Sequence, residues 1–175
     1  MNGDLKKRLS AVKMILLDND GVLTDGTLYY GADGVQFVAF NVKDGLGIYL
    51  AHQAGLKTGI ISGLGSEALE SRVSKLGVSE LFMNVSDKKV VYEDIKKKYN
   101  LNDSEIAFIG DDILDLPILS RCGVPVAVAD AHPEAKKAAC FITSCAGGKG
   151  AVREFIDLVL EARGSLETVQ KKYKD

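Results

Sequence analysis

The chain has 175 residues, 46% of them hydrophobic and 26% charged, which suits one soluble domain with a core of its own. A net charge of −2, from 22 basic and 24 acidic residues, gives no electrostatic case for nucleic acid or an anionic membrane as partner. Cys122, Cys140 and Cys145 are odd in number and form no C-x-x-C pair, which argues against a disulfide framework or zinc site and for a reducing cytoplasm.

The opening "MNGDLKKRLSAVK" is polar and has no signal-like apolar core, so nothing in it suggests export. No later run approaches the roughly 20 apolar residues of a membrane span. "VKMILLD" (12–18) reads as the first buried strand. In "GTLYYGADGVQFVAFNVKDG" (26–45), "TLYY" and "VQFVAF" flank Gly31-Ala32-Asp33-Gly34 and predict a β-hairpin over about 26–42. A hairpin there is either a flap or oligomer contact over the strand's carboxyl end, or an extra pair of edge strands. "DGLGIYLAHQAG" (44–55) predicts a helix, "LKTGIIS" (56–62) a strand, and "SEALESRVSKLG" (66–77) a helix with start and stop signals at Ser66 and Gly77. "LFMN" (81–84) is a short strand and "DKKVVYEDIKKKYN" (87–100) a helix. "IAFIGD" (106–111), "DILDLPILSRCG" (112–123), "VPVAVAD" (124–130) and "GAVREFIDLVLEARG" (150–164) continue as strand, helix, strand and helix. The last residues, about 164–175, are polar and read as a mobile tail. Strands alternating with helices predict a single α/β domain, with a Rossmann-like parallel sheet and helices on both faces.

Buried-looking strands that end in acids need an explanation, because a buried charge costs free energy unless it is paired. Asp18-Asn19-Asp20 does not fit an EF-hand loop: counting from Asp18, the fifth position is Val22, the sixth Leu23 and the twelfth Tyr29. Taken alone, it is either a turn with incidental acids or part of a site. Ser62, Lys88, and the group Asp111, Asp112 and Asp115 also follow strand-like runs. The carboxyl ends of parallel strands share one edge, so these residues converge on one crevice. An acid cluster with one hydroxyl and one lysine calls for a hard cation such as Mg²⁺, and so for phosphoryl transfer. Read singly, Ser62 is a helix N-cap and Lys88 a solvated lysine. Asn19, between the acids, is expected on the opposite face because strand side chains alternate, and Asp25 is expected to brace the turn into the hairpin. "AGGKGAVREF" lacks the Walker A spacing. Its glycines read as a loop before a helix, with Lys149 a candidate for a ligand carboxylate. His52 and His132 have no metal-ligand spacing.

Asp18-x-Asp20-x-Val22, Ser62, Lys88 and Gly110-Asp111-Asp112-x-x-Asp115 resemble the four motifs of the haloacid dehalogenase superfamily of phosphatases. "DGVLTDG", "AFNVKDGLGI", "GDDILDLPIL", "VAVADAHPEAKKAA" and "AGGKGAVREF" extend the resemblance to the 3-deoxy-D-manno-octulosonate 8-phosphate (KDO 8-phosphate) phosphatases over residues 12–163. The resemblance implies a capless enzyme, a homotetramer, and active sites closed by the hairpin flap and a neighbour's tail. It implies that Asp18 is the nucleophile and Asp20 the acid–base. Ser62 and Lys88 would hold the phosphoryl group, and Asp18, Asp111 and the Asp20 backbone carbonyl would hold Mg²⁺. Asp112 and Asp115 would orient metal waters or Lys88. Candidate contacts to the sugar phosphate are Asp20, Asn41, Lys43, Asp44, Gly45, Gly63, Arg72 and Lys88, with Arg72 equally readable as a solvated helix residue. Leu64 and Tyr49 stand where related chains carry basic residues. That opens a nine-carbon ulosonate 9-phosphate as an alternative substrate. A non-catalytic oligomerisation domain, like those attached to some cytidylyltransferases, is the alternative of a different class.

Overall fold

The apolar runs assemble into one parallel sheet. The computed structural model describes residues 3–32 and 36–174. Strand β1 (Met14–Leu17) is followed by a small antiparallel hairpin, β2 (Tyr29–Tyr30) and β3 (Gln36–Phe37). Then come β4 (Lys57–Ile61), β5 (Glu80–Phe82), β6 (Ile106–Gly110), β7 (Val124–Ala127) and β8 (Phe141–Ile142). The six-stranded sheet has the order β5-β4-β1-β6-β7-β8, every pairing being parallel. Residues of β1, β6 and β7 are buried throughout, as expected where helices cover both faces and alternation is lost.

Helices α1 (Gly3–Ala11), α2 (Val42–Gln53), α3 (Glu67–Leu76), α4 (Lys88–Tyr99), α5 (Leu116–Leu119), α6 (Pro133–Ala138), α7 (Ala151–Ala162) and α8 (Leu166–Gln170) fall into two packing groups. Helix α7 packs on α1, α2 and α8, and α3 on α2; α5 packs on α4 and α6. The stripe Val152, Phe155, Ile156, Val159 and Leu160 on α7 is fully buried, each such side chain contributing about 1.5–3 kcal/mol. Local chemistry sets the helix ends. The Ser66 hydroxyl accepts from Leu69 N, and Gly77 closes α3 at φ 67°; Asp87 accepts from Lys89 N, and Asn100 closes α4 at φ 51°.

Several expectations change. The helix predicted over 112–123 is a 3₁₀ turn (Ile113–Asp115) followed by the short α5, because the Asp112 and Asp115 carboxylates bond backbone amides of their own turn. Helices α1 and α6 and strand β8 carry weak patterns and were not predicted. The polar tail expected from about 164 is instead helical over Leu166–Gln170, since Leu166 and Val169 lie three apart and Val169 is buried. The hairpin forms with Tyr29 opposite Phe37, but Asp33 and Gly34 of its predicted loop and Val35 of its second run lie outside the described residues. All three cysteines are free, and no described helix is long and apolar enough to cross a membrane.

Candidate active site

The sheet order places the site. From β1 the chain works outward through β4 and β5, and from β6 it works the other way through β7 and β8, so β1 and β6 flank the reversal. Open α/β sheets bind ligands at the carboxyl ends beside such a point. Asp18 follows β1, Asp111 follows β6, and Ser62 follows β4. Lys88 opens α4 after β5. Asp18 N donates to Ile109 O at 2.9 Å, carrying the β1–β6 ladder to the first catalytic candidate.

Beyond Asp18 the chain turns tightly. The Asn19 carbonyl accepts from Val22 N (3.2 Å), Leu23 N (2.9 Å) and Thr24 N (3.1 Å). The buried Thr24 hydroxyl accepts from Gly21 N (3.4 Å) and Gly26 N (3.2 Å). Gly21 sits at φ 87°, and a Cβ there would collide with the Asp111 carboxylate. The Gly147–Gly148 segment braces this turn from outside. Gly148 N donates to Val22 O at 2.9 Å, Gly147 N to Asp130 Oδ1 at 2.9 Å, and a Cβ on Gly147 would strike the Gly21 carbonyl.

The floor of the site is a charge cluster. Lys88 Nζ lies 2.9 Å from Asp18 Oδ1 and 2.7 Å from Asp115 Oδ1. The other Asp115 oxygen accepts from Asp111 N (2.8 Å) and Asp112 N (3.3 Å). Burial pushes Asp18 up to about 7; the Asp115 charge adds to this, while Lys88 and the Asn19 amide oppose it. Burial and the charges of Asp18, Asp115 and Asp112 push Asp111 up to about 8. Burial works to lower Lys88, but Asp18 and Asp115 outweigh it and hold the ammonium above its ordinary range. Ser62 Oγ is 2.7 Å from Leu64 O and 3.3 Å from Asp20 Oδ2; its single proton serves one acceptor at a time. Above lies a cleft of about 180 Å³ lined by Asp18, Asp20, Gly63, Leu64, Lys88, Asp111, Asp112 and Leu114.

A haloacid dehalogenase-like hydrolase family matches residues 57–156. The 3-deoxy-D-manno-octulosonate 8-phosphate phosphatase of Escherichia coli is 38% identical over 167 residues, 95% of this chain and 89% of that protein. The chain belongs to the haloacid dehalogenase-like hydrolases. Among solved structures, the Moraxella catarrhalis KDO 8-phosphate phosphatase, in complex with magnesium, phosphate and KDO, superposes with a TM-score of 0.96 at 30% identity, over 99% of each chain. The cobalt-bound Haemophilus influenzae deoxy-D-mannose-octulosonate 8-phosphate phosphatase gives 0.89 at 38% identity, covering 92% of this chain and 94% of that one.

In this member of the family, the acid cluster suits a hard cation. Asp18, Asp111 and Asp115 each offer an oxygen within 4.8 Å of the others, against a single ammonium. Asp111 Oδ1 is buried without a partner among the described residues, whereas both Asp115 oxygens are engaged. Ser62 is not a helix cap, since Ser66 caps α3, and Lys88 is 5% exposed rather than solvated. Asn19 does not line the cleft, but its side chain is engaged with one of the acids. The strand has ended at Leu17, alternation no longer applies, and Asn19 Nδ2 donates to Asp20 Oδ1 at 3.0 Å.

Of the candidate sugar contacts, only Asp20, Gly63 and Lys88 line the cleft. Asn41 caps α2 through Lys43 N (2.8 Å) and donates to Gly148 O (3.2 Å). Asp44 accepts from Arg153 N at the start of α7 (2.8 Å), and Gly45 leaves room for the Arg72 guanidinium, which donates to Asn41 O (3.2 Å). Within the chain Asn41 and Asp44 brace α2 against the 147–153 segment and Arg72 ties the start of α2 to α3, while Lys43 is exposed. Leu64 lines the cleft and Tyr49 does not. Asp25 braces its turn through Thr27 N (3.1 Å) and pairs with Lys149 at 3.1 Å. His52 sits on α2, 2.7 Å from Thr58 Oγ1, and His132 caps α6. Gly21, Thr24, Asp130 and Leu114 were not singled out from the sequence. The glycine and threonine stood inside "DGVLTDG", but their work depends on contacts with Asp111 and within the turn that no spacing displays.

Proposed function

We propose that the protein is an Mg²⁺-dependent phosphatase that hydrolyses KDO 8-phosphate to KDO and inorganic phosphate. The observation that carries this reading is the convergence of Asp18, Asp20, Lys88 and Asp111 on one cleft in a chain of this family. Asp18, Asp111 and the Asp20 backbone carbonyl would hold the cation, which would supply positive charge to offset that of the attacking carboxylate and the phosphoryl oxygens. The Asp18 carboxylate attacks phosphorus in line, and the bond to the sugar oxygen breaks as Asp20 delivers a proton to that oxygen. A water then attacks the aspartyl-phosphate, Asp20 takes the water's proton, and phosphate leaves with Asp18 restored. Lys88 and the Ser62 hydroxyl stabilise the transferring group, and Asp115 holds Lys88 in place.

Among the described residues Lys88 is the one cation lining the cleft, already shared by two acids, and Leu64 adds apolar surface at the mouth. That leaves recognition of the substrate carboxylate to groups outside the cleft, and it keeps a nine-carbon ulosonate 9-phosphate as the second candidate. The exposed Tyr29, Tyr30 and Phe37 of the hairpin support a homotetramer in which the flap meets a neighbouring copy. The test is phosphate release by purified protein with Mg²⁺ from eight- and nine-carbon ulosonate phosphates, beside an Asp18→Asn control. Preference for the eight-carbon ester, lost in the control, is expected. No release from any sugar phosphate, and no difference in the control, would leave the oligomerisation-domain reading standing.

A further inference from the structure

The charge cluster does not account for Asn19. It is 3% exposed, its backbone N–H lies 2.7 Å from Asp18 Oδ1, and its side-chain Nδ2 lies 3.0 Å from Asp20 Oδ1. Its side-chain oxygen has no partner among the described residues. The opposite amide orientation would set a carbonyl oxygen against a carboxylate oxygen, so donation from Nδ2 is the arrangement the charges allow. An apolar side chain of similar size would fill this buried position without an unpaired oxygen, so packing does not explain the amide.

We propose that Asn19 is a positioning residue for Asp20, fixing one oxygen of its carboxylate so that the other is presented for proton transfer. The inference rests on the reading of Asp20 as the acid–base. Asp20 is half-buried, follows the strand end, and lies in a turn rather than in the sheet. Its Oδ2 is 3.3 Å from the Ser62 hydroxyl, whose proton has a nearer acceptor in Leu64 O at 2.7 Å. The Asn19 amide is therefore the closer side-chain restraint on the carboxylate. Because the Asn19 carbonyl also gathers the amides of Val22, Leu23 and Thr24, the donor is itself held by the turn. In the first half-reaction the proton passes from Asp20 to the sugar oxygen as the P–O bond breaks; in the second it passes from water to Asp20. Misdirecting the carboxylate harms a poor leaving group most.

The experiment compares wild type, Asn19→Leu, the smaller Asn19→Val and Asp20→Asn, each with Mg²⁺, on KDO 8-phosphate and on p-nitrophenyl phosphate, whose aryloxide departs with little protonation. Melting temperatures are recorded alongside. Asn19→Leu is expected to lower kcat/KM on the sugar phosphate about tenfold, a fraction of a full acid–base contribution. The loss on the aryl phosphate is expected to stay within about threefold, and the melting temperature to hold or rise. Asp20→Asn should show the same ordering more severely. Equal losses on both substrates, or an unchanged kcat/KM on the sugar phosphate in both Asn19 variants, overturn the inference while leaving the phosphatase reading intact. A wild type inactive on both esters overturns that reading and the inference with it.

Discussion

Burial removes the water that would solvate Asp18 and Asp111, and both carboxyls consequently hold protons that the unfolded chain has already released. Between the ordinary carboxylate range and about 7 to 8, the folded protein binds more protons than the unfolded chain. For the metal-free protein, stability attributable to these groups is therefore complete at low pH and is lost as pH rises through that window. A cation needs the deprotonated acids, so its contribution has the opposite slope. The melting temperature gained on adding Mg²⁺ should be small near pH 5 and grow steadily to pH 8, read by thermal denaturation with Mg²⁺ and with EDTA. A gain independent of pH would mean that these acids do not hold the ion. At the same scale, Asp20→Asn should slow turnover at least as much as Ser62→Ala. On the proposed mechanism the first would remove proton transfer from both half-reactions and the second one hydrogen bond to the phosphoryl group, and kcat of the two variants side by side decides it. These acids were legible in the sequence as residues at strand ends. The bond from Asn19 to Asp20 was not legible, because it forms in the turn beyond the end of β1, where strand alternation gives no guidance.

At the scale of elements, two segments outside the sheet carry predictions. The Gly147–Gly148 loop contacts the catalytic turn so closely that side chains there would meet backbone rather than flexible atoms. Gly147→Val should cost several kcal/mol of stability or displace residues 21–25, since overpacking against backbone cannot be relieved by a rotamer change. Activity falling by about a hundredfold, with a lower denaturation midpoint, is the expected result. The hairpin presents the opposite case. Tyr29, Tyr30 and Phe37 are 58%, 70% and 63% exposed, and a two-stranded ribbon needs a surface to rest on. Deleting residues 27–40 should both reduce activity and shift the protein to a smaller species on sizing chromatography; an unchanged elution volume would remove the hairpin from the assembly. The hairpin was legible from its β-prone runs around glycines. The bracing by Gly147 and Gly148 was not, because "AGGKG" carries no trace of the turn more than 120 residues earlier that it packs against.

For the whole molecule, what the sequence by itself determined is the class of fold and the inventory of reactive groups. Buried strands declare themselves by unbroken apolar runs, helices by periodicity and by signals such as Ser66 and Gly77, and parallel strands bring their carboxyl ends to one edge whatever their order. What only the tertiary structure decided is which groups touch. The order β5-β4-β1-β6-β7-β8 sets Asp18 beside Asp111, lets Lys88 bridge Asp18 and Asp115, and draws Asn41, Asp44 and Arg72 into bracing α2 instead of into the cleft. The physical reason is range. Periodicity and capping act over a few residues and are written locally, whereas the pairing of charges depends on distances of about 3 Å between segments tens of residues apart, which exist only once the sheet has closed around them.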